Sequence, residues 1–293
     1  MSAPTIEHPF NRILLTGAAG RLGSILREHV KPWTQILRLS DMGNLGAAGD
    51  GEEVIECDLS DQAAVLRMMD GVDAVVHFGG ISYETRFEPI MQANILGVAN
   101  LYEAVHKAGV KRVVFASSSH VTGFYDTTQT VDASMPYRPD TFYGLSKCFG
   151  ELMGRYYFDR FGIETVCLRI GSCFPEPTER EDMAIHITAD DLVELVRCAL
   201  FVRQAGHTIL YGTSVTDEQW WDNRHAAHLG YRARDSVREF AHLFPAAAPP
   251  SQDDASARYQ GGPFVTFGPQ YAPPSNAHAL PATPAATGRP GQT

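Results

Sequence analysis

A short apolar run ending in spaced glycines sets the first limit on what this chain can fold into. Residues 12–16 (Arg-Ile-Leu-Leu-Thr) read as a buried strand running directly into Gly17-Ala-Ala-Gly20-Arg-Leu-Gly23. Apolar Leu22, Ile25, Leu26 and Val30 then recur at helical spacing, and Pro32 closes the run. Strand, glycine turn and helix in this order form the opening unit of a dinucleotide-binding sheet. Gly17 permits the tight turn, Gly20 lets the backbone approach a pyrophosphate, and Gly23 lets the helix pack closely on the sheet. The first N–H groups of that helix then face the phosphates.

The rest of the chain repeats the strand–helix alternation. Further strands are predicted over residues 36–39, 54–56, 74–77, 112–116, 164–170 and 208–211, and helices over 87–108, 142–161, 189–202 and 236–243. This is the pattern of an α/β, Rossmann-type doubly wound parallel sheet with a small C-terminal substrate-binding region. We divide the chain into a dinucleotide-binding domain (11–174), a substrate-binding region (175–244) and a Pro/Ala-rich tail (245–293). In the tail only the stretch around 259–265 is apolar enough to dock on the body.

In such a sheet ligands collect beyond the carboxyl ends of the strands. Those ends carry Gly17, Ser40-Asp41, Cys57-Asp58-Leu59, Gly79-Gly80-Ile81-Ser82 and Ser117-Ser118-Ser119-His120. Asp41 lies where an acidic residue accepts the adenine-ribose hydroxyls and repels a 2′-phosphate, which points to NAD over NADP. Asp58 either contacts the adenine or caps the helix starting near Asp61, and the spacing does not choose. Downstream, Tyr143 and Lys147 are four residues apart and share one helix face. A free phenol titrates near 10, so the neighbouring ammonium is expected to lower the tyrosine pKa and make it a usable base.

Taken together, Thr16-Gly17-x-x-Gly20-x-x-Gly23, Asp41, Ser118 and Tyr143-x-x-x-Lys147 resemble the extended short-chain dehydrogenase/reductases. A closer likeness, to uronate dehydrogenases, rests on Gly79-Gly-Ile-Ser82, Phe115-Ala-Ser-Ser118, Phe142-Tyr-Gly-Leu-Ser-Lys-Cys-Phe-Gly-Glu151, Arg169-Ile-Gly-Ser-Cys173, Pro175-Glu-Pro177 and Trp220-Trp-Asp-Asn223. The resemblance implies oxidation of the anomeric carbon of a hexuronate with NAD, giving the aldaro-lactone. It also implies Tyr143 as base, with Lys147 and Ser118 as its catalytic partners. Cofactor contacts are expected from Gly17, Ala19, Gly20, Arg21, Leu22, Asp41, Asp58, Leu59, Gly79, Gly80, Ser117, Tyr143 and Lys147. The sugar pocket would be lined by Ile81, Ser82, Ser118, Ser119, His120 and Ser172 and closed by Phe264. The chain departs from the pattern at Ser119, where the family has asparagine, and at Glu181, where the family's carboxylate-binding arginine falls. Arg180 serves instead if the loop shifts by one residue, and His186 stands where the family has an aromatic residue. A 6-sulfonated glucose (sulfoquinovose) or a neutral aldose therefore remains an alternative substrate. A nucleotide-sugar epimerase or dehydratase, or an NAD-sensing protein without turnover, is a more distant alternative.

Bulk properties exclude other classes. The net charge of −10 disfavours nucleic acid or an anionic membrane as partner. There is no apolar run of the roughly 20 residues a membrane span needs, and no secretion signal is read at the start. The five scattered cysteines include no Cys-x-x-Cys, so free thiols in the cytoplasm are expected, with no metal. By analogy the two long helices pair subunits into a homodimer or larger homo-oligomer.

Overall fold

A computed structural model describes residues 10–244 and 253–268. Seven parallel strands form the central sheet: β1 (Phe10–Thr16), β2 (Thr34–Asp41), β3 (Glu52–Glu56), β4 (Ala74–His77), β5 (Arg112–Ser118), β7 (Glu164–Ile170) and β8 (His207–Gly212). Their order across the sheet is β3-β2-β1-β4-β5-β7-β8. Order reverses between β1 and β4, so a crevice opens beyond their carboxyl ends, as it does in doubly wound sheets. Two short strands, β6 (Val131–Asp132) and β9 (Trp221–Asp222), pair separately.

Strand alternation sorts the core into two layers. Ile13 and Leu15 face one side with Leu26 and Val30 of α1 (Arg21–Val30) and Leu192, Leu195 and Val196 of α6 (Ala189–Phe201). Leu14, Val75, Val113 and Phe115 face the other side. There they meet α2 (Gln62–Met68), α4 (Gly97–Ala108) and Tyr157 of α5 (Phe142–Phe161). With both faces covered, the strands read as nearly continuous apolar runs. Among the described residues no helix is long and apolar enough to cross a membrane.

Three expectations need correction. The helix predicted over 87–108 is α3 (Phe87–Ile90), a π-helical turn (Met91–Leu96) and α4, because Asn94 is drawn inward to polar partners described below. The stretch at 236–243 is a 3-10 helix, Val237–Leu243, capped by Ser236. The loop predicted without regular structure around Arg180 contains the 3-10 helix Arg180–Ala184, closed by a reciprocal Glu179/Asp182 capping box. The last described segment holds α7 (Ala255–Arg258) and a 3-10 turn at Gly262–Thr266. It lies along the turn after Thr122: Gln260 N–H donates to Tyr125 C=O at 2.8 Å and Gly261 N–H to Gly123 C=O at 2.9 Å. The rest of the tail lies outside the described residues.

His77, at the end of β4, makes folding pH-dependent. Its Nδ1 is paired with Thr16 Oγ1 at 2.7 Å, the ring stacks on Phe115, and Nε2 is buried without a partner among the described residues. Burial, helped by the charge on Lys147, pushes its pKa down from 6.5 to about 3. Between those values the unfolded chain binds a proton that the folded chain does not, so stability falls as pH drops through that window. Going from pH 7 to pH 5 is expected to cost about 2 kcal/mol from this residue. Urea unfolding at both pH values checks it, and His77→Leu should flatten the dependence.

Candidate active site

The glycine turn has the shape that a phosphate cradle needs. Gly17 sits at φ 72°, and a side chain there would collide with the backbone of Phe78 and Gly79 on the next strand. A side chain at Gly23 would strike the Gly17 carbonyl, so α1 can lie against the turn only with glycine there. Gly20 caps α1 without a side-chain bond, and the first turn holds no acidic residue. The leading N–H groups are thus left for an anion. Asp41 is tethered to the same turn: Oδ2 accepts from Ala19 N–H at 3.0 Å and Oδ1 from Gly43 N–H at 2.8 Å. These features suit the phosphates and ribose of a dinucleotide.

Other residues of the cofactor set lie on the same rim with their side chains engaged elsewhere. The Arg21 guanidinium donates to the Cys173 carbonyl and stacks 3.6 Å from the centroid of Phe174, bridging α1 to the chain leaving β7. Leu22 packs into the core. Leu59 packs on the opposite layer and approaches Gly79. The helix-capping alternative for Asp58 is overturned: Asp61 caps α2 through Ala64 N–H, whereas Asp58 turns back to Ser60 N–H at 2.8 Å. Ser117 points to the far side of its strand, where its hydroxyl donates to Glu151 at 2.5 Å. Only its main chain is left for the rim.

Ser118, Tyr143 and Lys147 come together at the mouth of the crevice. Ser118 ends β5; its Oγ accepts from His120 N–H at 3.2 Å, and the hydroxyl lies close enough to the Tyr143 phenol to favour its ionised form. Thr141 caps α5 through Gly144 N–H at 3.0 Å, and the buried Glu84 carboxylate accepts from Tyr143 N–H at 2.8 Å. Both caps place negative charge or a lone pair at the positive helix end. Lys147 Nζ donates to the Ala116 carbonyl at 2.8 Å and lies 5.6 Å from the Tyr143 ring centroid. The expected lowering of the tyrosine pKa is not seen. Burial, opposed by the Ser118 hydroxyl and reinforced by Asp140, pushes Tyr143 up to about 12. Burial brings Lys147 down to about 8. The ammonium is held by the β5 carbonyl, so dehydration of the phenol outweighs it.

The remaining pocket residues divide. Ile81 is anchored at both backbone groups by Asn94: N–H to Oδ1 at 2.8 Å and C=O from Nδ2 at 2.9 Å. Ser82 is exposed beside it, and Ser119 is buried next to Ser118. His120 Nδ1 meets Asp140 Oδ2 at 2.7 Å, and its ring stacks on Phe264 with centroids 4.0 Å apart. Ser172 is half-buried, and its backbone is paired with Ile185 and Ile187. Arg180 does not join them: it is 53% exposed and paired with Glu218 at 2.5 Å. A charged side chain with a carboxylate partner in water has little reason to turn inward. His186 is not a surface loop residue either. It is fully buried edge-on to Phe240, with both ring nitrogens unpaired among the described residues and its pKa lowered by burial.

Sequence reading missed Glu84, Asn94, Asp140 and the Glu151–Arg169 pair. Asn94 was visible as a polar residue on the apolar stripe between Ile90 and Val98. Glu151 was visible as the next residue on the face that carries Tyr143 and Lys147. Nothing in the spacing of Glu84 or Asp140 marked them.

Comparisons with known proteins agree with this geometry. Residues 13–200 match the model of the NAD dependent epimerase/dehydratase family. The uronate dehydrogenase of Pseudomonas syringae pv. tomato is 53% identical over 269 residues, covering 92% of this chain and 98% of the relative. That of Agrobacterium fabrum is 46% identical, covering 87% and 96%. Among solved structures, glucuronic acid dehydrogenase from Chromohalobacter salexigens superposes with TM-score 0.85 at 44% identity, covering 89% of this chain and 98% of that one. A variant of uronate dehydrogenase from Agrobacterium tumefaciens, complexed with NAD, does so with TM-score 0.85 at 45% identity, covering 88% and 98%. With its glycine turn, parallel sheet and Ser-Tyr-Lys cluster, this chain belongs to the NAD dependent epimerase/dehydratase family.

Proposed function

We propose that this protein oxidises the anomeric carbon of a hexuronate, with NAD as acceptor, to the aldaro-lactone. The observation that carries the reading is the cluster of Ser118 at the end of β5 with Tyr143 and, 5.6 Å from its ring, Lys147 Nζ, set on the rim that also holds the glycine turn and Asp41. The relatives it resembles over most of its length are uronate dehydrogenases.

NAD, when bound, accepts hydride from C1. The glycine turn and the N-terminus of α1 hold its phosphates and Asp41 its adenine ribose. Tyr143 Oη removes the proton of the C1 hydroxyl as the C1–H bond gives up its electron pair, and C1 becomes the lactone carbonyl. Ser118 holds the reacting oxygen on line with Tyr143. Lys147 supplies positive charge near the phenol and a donor toward the cofactor ribose. Ile81, Ser82, Ser119, His120 and Ser172 face the sugar, with Phe264 as its cover.

Asp41→Ala is expected to weaken NAD binding about tenfold or more and to narrow the preference over NADP, because the lost carboxylate both accepts from the ribose and repels a 2′-phosphate. Fluorescence titration with both dinucleotides measures it.

The chain departs from the family pattern at Glu181, so substrate identity is tested directly. NADH formation is compared for glucuronate, galacturonate, sulfoquinovose, glucose and galactose. Turnover of the uronates supports the reading. Turnover of the sulfonate alone moves the substrate to that class, and turnover only of neutral sugars refutes an acidic one.

Exposed Leu145, Leu152 and Tyr156 on α5 and Phe87, Met91 and Leu96 on the helix before it give an apolar face suited to a second copy. A homodimer or larger homo-oligomer is expected, and a monomer mass by light scattering contradicts it. The five cysteines are free and buried, which suits a reducing cytoplasm.

A further inference from the structure

The contacts around His120 reach beyond its place in the pocket. Its Nδ1 lies 2.7 Å from Asp140 Oδ2, and the Asp140 side chain has no exposed surface. The carboxylate sits in a slot bounded by three glycines from three segments. A side chain at Gly123, Gly144 or Gly261 would crowd or collide with it. Oδ1 accepts from Thr141 Oγ1 at 2.9 Å, and the Asp140 N–H points at the His120 carbonyl. Aspartate, histidine and the start of α5 therefore move as one unit. The imidazole is fixed on a second side by Phe264, stacked at 4.0 Å, and meets the Tyr143 ring edge-on at 5.9 Å. Among the described residues Nε2 has no hydrogen-bond partner, and the side chain is 17% exposed.

We propose that Asp140 is a positioning residue for the sugar: it fixes the orientation and tautomer of His120, so that Nε2 meets a sugar hydroxyl as an acceptor. An ionised carboxylate only accepts, so the nitrogen facing it carries the proton. In a neutral ring the other nitrogen is then a lone-pair acceptor. An aspartate that orients a catalytic histidine by its Nδ1–H uses the same logic. Here the oriented group is aimed at substrate, beside Tyr143. The same slot accounts for the glycine at 261: the C-terminal segment closes over His120 only if nothing displaces the carboxylate. This inference rests on the sugar-oxidation reading.

The test uses Asp140→Asn, nearly the same shape but able to donate to Nδ1 and so to invert the tautomer. KM for the sugar is expected to rise about tenfold, the loss of one well-placed hydrogen bond, with the KM for NAD changed much less. In a His120→Ala background the same substitution should add nothing further to the sugar KM. An unchanged sugar KM, or effects of the two substitutions that multiply, overturns the proposal, because a purely structural role would persist without His120. Nitrogen-15 NMR of the wild-type protein gives a reading independent of any variant's folding. In the neutral ring the Nδ1-protonated tautomer is expected, and an Nε2-protonated tautomer overturns the proposal. Absence of any sugar oxidation by the wild type would refute the underlying reading instead, while the NMR result still decides the tautomer.

Discussion

Replacing Tyr143 with phenylalanine is expected to lower kcat for sugar oxidation by about 10²–10⁴, the usual contribution of a positioned general base. Packing should survive, because the ring stays against His120 and only the phenolic hydroxyl is lost. NAD affinity should stay within a few-fold. The pH profile adds a second reading. Only the phenolate can take the proton, and burial holds the phenol's pKa up at about 12, so wild-type kcat should climb as pH rises from neutral. Lys147, brought down to about 8, loses its charge above that pH, and the climb should flatten there. The phenylalanine variant should lose the climb altogether. Stopped-flow measurement of NADH formation across pH provides both tests, and a variant with undiminished kcat would remove Tyr143 from the mechanism.

The largest stability effect is expected at Glu151→Ala. Glu151 and Arg169 form a two-pronged pair, with both bonds at 2.9 Å and side-chain exposures of 0% and 1%. Burial works against the arginine's charge, and Glu151 more than restores it, holding the guanidinium above its ordinary range. Ser117 donates to the same carboxylate, and Arg169 donates onward to the Tyr211 hydroxyl, which pairs with Thr122. The network joins β5, α5, β7 and β8 beneath the Ser118–His120 turn. Removing one partner leaves a buried charge uncompensated. The expected cost is about 3–5 kcal/mol, lowering Tm by roughly 10 °C in a chain of this size. Replacing both residues with apolar ones of similar volume should recover most of that loss. Calorimetry on the single and double variants checks it, and a single variant with wild-type Tm would show the pair to be dispensable.

Much of the architecture was legible because it depends on local patterns. The strand–glycine–helix opening, the spans of β4, α5 and β7, and the grouping of Gly17, Asp41, Gly79 and Ser118 on one rim all follow from periodicity and the rule that ligands collect at strand ends. Tyr143 and Lys147 were legible for the same reason, four residues apart on one helix. What escaped depends on distant chain segments. Glu84 caps α5 from 59 residues upstream, and Gln260 reaches Gln129 across 131 residues. The sign of the Tyr143 shift escaped too, because helical spacing shows a neighbouring charge but not the burial that outweighs it. Arg180 and His186 mark the same limit. Sequence alone shows that they depart from the pattern, whereas their pairing with Glu218 and burial against Phe240 are tertiary facts.

The central claim, hydride transfer from C1 under the control of Tyr143, is tested most directly with glucuronate deuterated at C1. Deuterium is expected in the reduced nicotinamide, with the lactone as the first product. Unlabelled NADH, or product oxidised at another carbon, would contradict it.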